Sequence, residues 1–331
     1  MGRKVKQRIE GRKNFPTDEV DSKNFLSDEE VRKLIDDKDN FKFKEDDYSK
    51  IYNCVHCGEC DTEDYRIKLK EKYLEDGNSF EGLEEMKEFF EKYRSPYPSN
   101  TMRIKKPKDI PKESDTLFFM GCLSTIRIPR YTEHALKFLL KQNINFTILE
   151  KEICCGWHLL VSGLREEYET CKKENIEIFK QFKKIICLCP ACYDLFRKDY
   201  TNEMKNKVKV EYIADYLKPS EDEKDGKIAI QHLCQLKNRG REGVDKLVNN
   251  VLLKSGYDII DVPHWCCGGG SGYMGRTDVI DEIAKKRMVD FNKDEIDFIT
   301  TYCPSCWWIL ARFSKIHKIK PRAKDIFELL L

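Results

Sequence analysis

No apolar run in these 331 residues approaches the ~20 consecutive positions that a transmembrane helix needs. The basic opening Met1-Gly-Arg-Lys-Val-Lys6 has no apolar stretch behind it, unlike a secretory leader. Lys6 also stands where myristoylation requires Ser or Thr. A cytoplasmic chain without direct membrane insertion is therefore expected. An excess of charge is missing too: 60 Lys and Arg against 58 Asp and Glu leave a formal net charge of +2. That balance gives no electrostatic footprint for nucleic acid. No segment makes a convincing flavin or nicotinamide fingerprint, so electrons for any redox step would come from another protein or a diffusible carrier.

What the chain does have is 15 cysteines. An odd count and the lack of a leader argue against a disulfide framework, whereas clustered thiols in a reducing compartment serve metals or redox chemistry. Cys122, Cys154, Cys155, Cys189 and Cys192 recur as Cys234, Cys266, Cys267, Cys303 and Cys306, displaced by 112 residues at the first three and 114 at the last two. Two copies of one unit follow, separated by the charged stretch Pro219–Gly226.

Each copy has the same grammar. An apolar segment leads into the first cysteine (Leu117–Met120; Ile228–Ile230), and an amphipathic segment comes next (Ala135–Leu140; Val244–Leu253). A second apolar run enters Cys-Cys-Gly (Phe146–Leu149; Ile259–Val262), and a third ends near Cys-Pro-x-Cys (Ile185–Ile186; Phe298–Ile299). Strands alternating with helices predict an α/β fold with parallel pairing. Every repeat cysteine follows a strand, so the thiols should gather at the carboxyl edge of the sheet.

The expected division is a polar N-terminal extension over 1–45, a helical segment over 46–105, and repeats over 113–218 and 224–322. Ser27 and Glu30 form a capping box ahead of Val31, Leu34 and Ile35, predicting one short helix in an otherwise solvated tail. Leu83, Met86, Phe89, Phe90 and Tyr93 share a helical face and predict core packing. Arg103–Lys112, with two prolines, reads as a linker.

Thiolates select zinc, copper(I) or iron–sulfur clusters. Five per unit exceed the four of tetrahedral zinc, so an iron–sulfur centre in each repeat is the leading expectation. Zinc in one repeat and metal-free thiol chemistry are the alternatives. Adjacent side chains in an extended segment point apart, so Cys154–Cys155 and Cys266–Cys267 need a local turn to serve one site. Gly156 and Gly268 supply that freedom. Gly268, Gly269 and the glycines after them read as close backbone approach to sulfur.

The ten cysteines resemble the paired cysteine-rich CCG domains of the B- and D-type subunits of heterodisulfide reductase. Iron–sulfur subunits of glycolate, lactate and glycerol-3-phosphate oxidation systems share these domains. The resemblance covers about residues 114–320. It implies two α/β repeats facing one another across pseudo-twofold symmetry, each holding a non-cubane [4Fe-4S] cluster on its five cysteines. It also implies reductive cleavage of a thiol-cofactor disulfide of the coenzyme M/coenzyme B type, as in methanogenesis.

Tyr52-Asn-Cys54-Val-His-Cys57-Gly-Glu-Cys60 resembles the ferredoxin-type motif preceding CCG domains in fused proteins. The usual C-x2-C-x2-C-x3-C-P run is incomplete here: Asp64 occupies the fourth position, and Tyr97 stands where a distant Cys-Pro would fall. The resemblance implies a [4Fe-4S] cluster completed by Asp64 or an external ligand, or a [3Fe-4S] cluster; a zinc knuckle is the alternative.

By this resemblance the chain is the catalytic subunit of a disulfide reductase. It would take electrons from a flavoprotein, an iron–sulfur protein or a membrane cytochrome and pass them to a small-molecule disulfide. The alternatives are an electron-transfer subunit of a flavin-dependent hydroxy-acid dehydrogenase and a non-catalytic cluster-binding component. His158 and His264, three residues after and two before a cysteine pair, are candidate proton donors or hydrogen-bonding neighbours of the centres, with His232 a weaker one. Arg127, Arg130, Lys237, Arg239 and Arg241 follow the first cysteine of each repeat and are candidates for attracting an anionic substrate. Cys171 and Cys187 should be packing residues. Trp307 and Trp308 should pack on a centre or on the facing repeat.

Overall fold

A computed structural model describes residues 26–331 apart from 38–39, 61, 205–206, 242 and 271–275. Most of the expected solvated tail, and Ser271 and Gly272 of the glycine run, lie outside the described residues. Strands form where the apolar runs stand. β1 (Thr116–Phe119), β2 (Lys184–Cys187) and β3 (Lys209–Tyr212) make one parallel sheet in the order β1-β2-β3. β4 (Lys227–Ile230), β5 (Asp258–Ile259), β6 (Phe298–Thr301) and β7 (Arg322–Asp325) make a second, in the order β5-β4-β6-β7. All four residues of β1 are buried, as a parallel sheet covered by helices on both faces requires. The fold is the expected mixed α/β architecture with two repeats.

The departures have local causes. The expected strand Phe146–Leu149 contracts to one parallel bridge between Leu117 and Thr147. Beyond it the chain must leave the edge so that Glu152 can reach the N–H groups of Met120 and Gly121, each at 2.7 Å. Its counterpart β5 is likewise reduced to two residues. The outer strands β3 and β7 have no apolar signature: Lys209-Val-Glu-Tyr212 and Arg322-Ala-Lys-Asp325 carry the charge that a sheet edge tolerates.

The repeats face one another through reciprocal contacts. Helix Pro129–Lys141 of the first leans on the second, where Tyr131 meets Trp307 and Phe327 with ring centroids 5.8 and 5.6 Å apart. His134 Nδ1 lies 2.8 Å from Asp325 at the same seam. In return, Arg241 of the second repeat pairs with Asp215 and lies 5.6 Å over the Tyr193 ring of the first. Trp307 thus packs on the facing repeat.

The N-terminal segment straddles both. Helix Asp28–Asp36 opens on the expected capping box, with Ser27 N donating to Glu30 at 2.7 Å and Glu30 N to Ser27 Oγ at 3.2 Å. Asp28 ties it to Arg66 at 3.0 Å. Helix Glu63–Glu75 runs close to helix Trp157–Ser162, where a Cβ on Gly163 would fall 2.7 Å from the Lys70 backbone. Helix Leu83–Tyr93 buries Leu83, Met86 and Phe90. Among the described residues no helix is long and apolar enough to cross a membrane.

Candidate metal centres

The carboxyl edges of the two sheets open into one cleft, lined by cysteines of both repeats together with Val55 and His56. Within each repeat the sulfurs form a continuous chain. Cys122 and Cys154 are 3.5 Å apart, Cys154 adjoins Cys155, Cys155 adjoins Cys192, and Cys192 adjoins Cys189. The second repeat follows suit, with Cys234 and Cys266 at 3.8 Å, Cys267 and Cys306 at 3.2 Å, and Cys303 beside Cys306. The adjacent cysteines therefore divide the work: the first turns to the strand-end cysteine, the second to Cys-Pro-x-Cys.

All fifteen cysteines are free thiols. Hydrogen bonds to neighbouring thiols, reinforced by burial, push Cys154, Cys155, Cys192, Cys234 and Cys306 well up. Cys267 moves the other way, to about 5, because Cys266 and Cys306 hydrogen-bond to it. Sulfurs so crowded become thiolates together only when a metal charge displaces their protons. A pair 3.5 to 3.8 Å apart spans one edge of a tetrahedral ion with metal–sulfur bonds of about 2.3 Å. Five donors exceed one such ion, so each set fits a polynuclear centre.

The glycines of Cys-Cys-Gly show how deep the repetition goes. Gly156 and Gly268 have φ of +81° and +84°. A Cβ on Gly156 would meet Tyr168 at 2.8 Å and Cys171 at 3.7 Å; on Gly268 it would meet Ile283 at 3.3 Å and Ile280 at 3.4 Å. The partners are again 112 residues apart although their identities differ. Gly268 N also donates to Cys266 Sγ at 3.3 Å. Cys171 and Cys187 are buried, as packing residues should be.

At the same displacement other positions diverge. Asn175 donates to Cys154 O at 2.9 Å, while its counterpart Arg287 is a buried cation held by Gln231 and Pro263 at 2.6 Å and Asp290 at 2.9 Å. Glu152, which burial raises to about 7, corresponds to His264, and His158 to Gly270. Sequence reasoning passed over Glu152 and Arg287, although aligning the repeats at 112 residues would have exposed both.

The Cys54/Cys57/Cys60 loop docks on the second repeat. Val55 packs with Cys266, Val279 and Ile283, with Cys57 and Cys234 against them. Asn238 donates to Cys57 O at 3.1 Å. A Cβ on Gly270 would fall 2.0 Å from Val55 O, so only glycine allows this approach. Behind the loop, Lys70 is buried, with Nζ 2.6 Å from His56 Nε2 and donating to Val161 O at 2.8 Å. Desolvation lowers its pKa to about 8.

Several expected roles fall elsewhere. Asp64 is exposed and lines a surface groove with Ile67, Lys68 and Arg165, while Arg66 and Lys70 on the same helix are the residues whose charges reach Cys54. Tyr97 is buried and lies under Arg127, ring centroid to guanidinium 5.1 Å. Arg239 is no substrate anchor: its side chain is 5% exposed, pairs with Glu63 and with Asp194 at 2.9 Å, donates to His56 O at 3.1 Å and lies 4.7 Å over Trp157. It pins all three parts of the chain together. Arg127, Arg130 and Lys237 are exposed and lie outside the cleft lining. His158 lines the cleft, and burial lowers it to about 4. His264 is exposed, outside the lining, and stacks on His232 at 5.6 Å.

This arrangement defines a class. The profile of the CCG cysteine-rich domain matches residues 116–197 and 228–311, and the chain belongs to that family. It is 26% identical over 327 residues to an uncharacterised iron–sulfur protein of Methanococcus maripaludis, covering 89% of this chain and 64% of that one. It is 24% identical over 334 residues to the D-type subunit of the dihydromethanophenazine:CoB–CoM heterodisulfide reductase of Methanosarcina mazei, covering 87% and 78%. It is 26% identical over 202 residues to the B-type subunit of the fumarate reductase (CoM/CoB) of Methanothermobacter marburgensis, covering 57% and 40%. A crystal structure of a hypothetical protein from Helicobacter pylori shares the fold, with a TM-score of 0.57 and 12% identity over 91% of this chain and 64% of that one. The chain spans 60% to 64% of the length of two methanococcal iron–sulfur relatives. It is related to proteins named as iron–sulfur proteins and as subunits of reductases.

Proposed function

We propose that the protein is the disulfide-cleaving subunit of a heterodisulfide-reductase-like complex, with an iron–sulfur centre on each five-cysteine set and a third on Cys54, Cys57 and Cys60. The observation that carries this reading is the pair of complete five-sulfur chains opening into one cleft, where a disulfide can meet both. Bound iron–sulfur centres would supply one-electron chemistry and sites for departing sulfurs. The balance is R–S–S–R′ + 2 e⁻ + 2 H⁺ → RSH + R′SH, with both electrons from a partner protein. The trio abuts the second repeat and is partly exposed at Cys57 and Cys60, so it suits electron entry. His158 lines the cleft and is the better placed of the two histidines to handle a proton. Neither Asp64 nor His264 has a part in this reading.

A relay role is the second reading, favoured by the relative named for fumarate reductase. Anaerobic purification with iron, sulfide and zinc analysis tests the assignment. About eleven or twelve irons and no zinc are expected; one stoichiometric zinc with half that iron would make one repeat structural. Cys267→Ser should abolish reduction of a coenzyme M/coenzyme B type disulfide while sparing the trio's EPR signal. Retained activity would favour the relay.

A further inference from the structure

The two centres share a frame but not a charge environment. The contacts of Gly156 with Tyr168 and Cys171, and of Gly268 with Ile280 and Ile283, put helices Arg165–Phe179 and Thr277–Phe291 in the same register behind their cysteine pairs. In that register Asn175 and Arg287 are equivalent. Asn175 offers a neutral amide to Cys154 O at 2.9 Å. Arg287 offers a guanidinium, 1% exposed and stacked 4.0 Å over Phe291. Burial holds its pKa below the usual guanidinium value, against the pull of Asp290 first and of the Cys267 and Cys306 thiolates after it.

We propose that Arg287 makes the two five-cysteine centres inequivalent, holding the second at the higher reduction potential so that it takes up an electron before the first. A centre gains negative charge on reduction, and a buried cation behind its ligands stabilises the reduced form in a low-dielectric interior. Asp290, 2.9 Å from Arg287, offsets part of this, but its side chain is 22% exposed and screened by water. In the first repeat the corresponding space holds an amide, and the buried cation on the same helix, Lys172, is neutralised by Asp199 and Glu203. The step is a one-electron transfer: the donor protein loses an electron through the trio, the second centre gains it, and no bond breaks. The docking of Val55 and Cys57 against Cys234 and Cys266 places entry beside that centre.

The inference rests on the reading that both repeats hold iron–sulfur centres, and its test separates the two. The anaerobic protein is titrated potentiometrically with EPR detection, and Cys303→Ser identifies the second-repeat signal by its loss. Wild type should show two separable five-cysteine signals. Arg287→Gln should weaken reduction of the second about tenfold or more, which is about 59 mV for a one-electron couple. It should leave the first in place, and Arg287→Lys should recover most of the shift. Asp290→Asn, a change at a partly exposed residue, should move the second signal upward even if Arg287→Gln does not fold. Iron content unchanged with neither signal moving, or both moving together, would overturn the role of Arg287. Absence of iron from the second repeat would instead overturn the cluster assignment, and this inference with it.

Discussion

The two repeats carry the same five cysteines, the same glycine turn and the same helix register behind it, yet the side chains at equivalent positions behind the sulfurs differ in charge and volume. In the first, Asn175 and Cys171 donate to the backbone of its pair, Glu152 holds the N–H groups of Met120 and Gly121, and His158 fills the position after Cys-Cys-Gly-Trp. The second is cationic behind the pair and open in front, with Arg287 in the core and Gly270 admitting the backbone of Val55. What is duplicated is therefore the ligand set, and what is specialised is its surroundings. Ligand geometry demands thiols at fixed places, whereas tuning and docking demand only a change of charge or volume one layer out.

The sharpest way to break this comparison is at Gly270. Gly270→Ala puts a Cβ where Val55 O stands, 2.0 Å away, so the trio should lose its seat while both repeats keep their iron. Iron should fall from about twelve to about eight per chain, with the trio's EPR signal gone. An unchanged iron count would mean that the loop docks independently of that contact. A smaller effect separates the two Cys-Cys-Gly turns. Either alanine incurs the left-handed penalty of about 1–2 kcal/mol. Gly156→Ala must also displace the Tyr168 ring at 2.8 Å, whereas Gly268→Ala meets Ile283 at 3.3 Å. Overpacking adds about 1–3 kcal/mol, so Gly156→Ala should release iron to a chelator much faster than Gly268→Ala. Equal rates would show that the two turns are equally pliant.

Much of this was legible in the cysteine spacing. The repeat, the parallel α/β frame, the carboxyl-edge placement and the glycine turns all follow from residues whose chemistry leaves few alternatives. The edge strands β3 and β7 were hidden because their solvated positions let them carry Lys209, Glu211, Arg322 and Lys324, while Asp325 is buried against His134. The spacing of a ferredoxin-type run left Asp64 and an external ligand as alternatives, and it could not show that Asp64 stands in the first turn of helix Glu63–Glu75, where Arg66 and Lys70 are the residues whose charges reach Cys54. Arg239 looked like a surface anion trap because nothing in the sequence announces that Glu63 and Asp194 will close around it.

The gentlest test uses pH, because Glu152 and His264 occupy equivalent positions and titrate in opposite senses. Burial raises Glu152 from 4.5 to about 7. Its contribution to stability is therefore complete below pH 4.5 and is lost as pH rises through 7. Desolvation, with the Lys237 and His232 charges beside it, lowers His264 from 6.5 to about 4; its contribution is present above 6.5 and is lost as pH falls through 4. For the buried Glu152 the change is on the order of 3 kcal/mol. Hydrogen exchange, corrected for intrinsic rates, should then show protection at Met120 and Gly121 weakening between pH 5 and 7.5, while protection around Cys266 and Cys267 weakens in the acid direction. Glu152→Gln should flatten the first profile and leave the second alone. If the first profile is flat already in the wild type, the two N–H bonds to Glu152 hold its carboxylate ionised throughout, and the acid-side contrast between the repeats reduces to His264 alone.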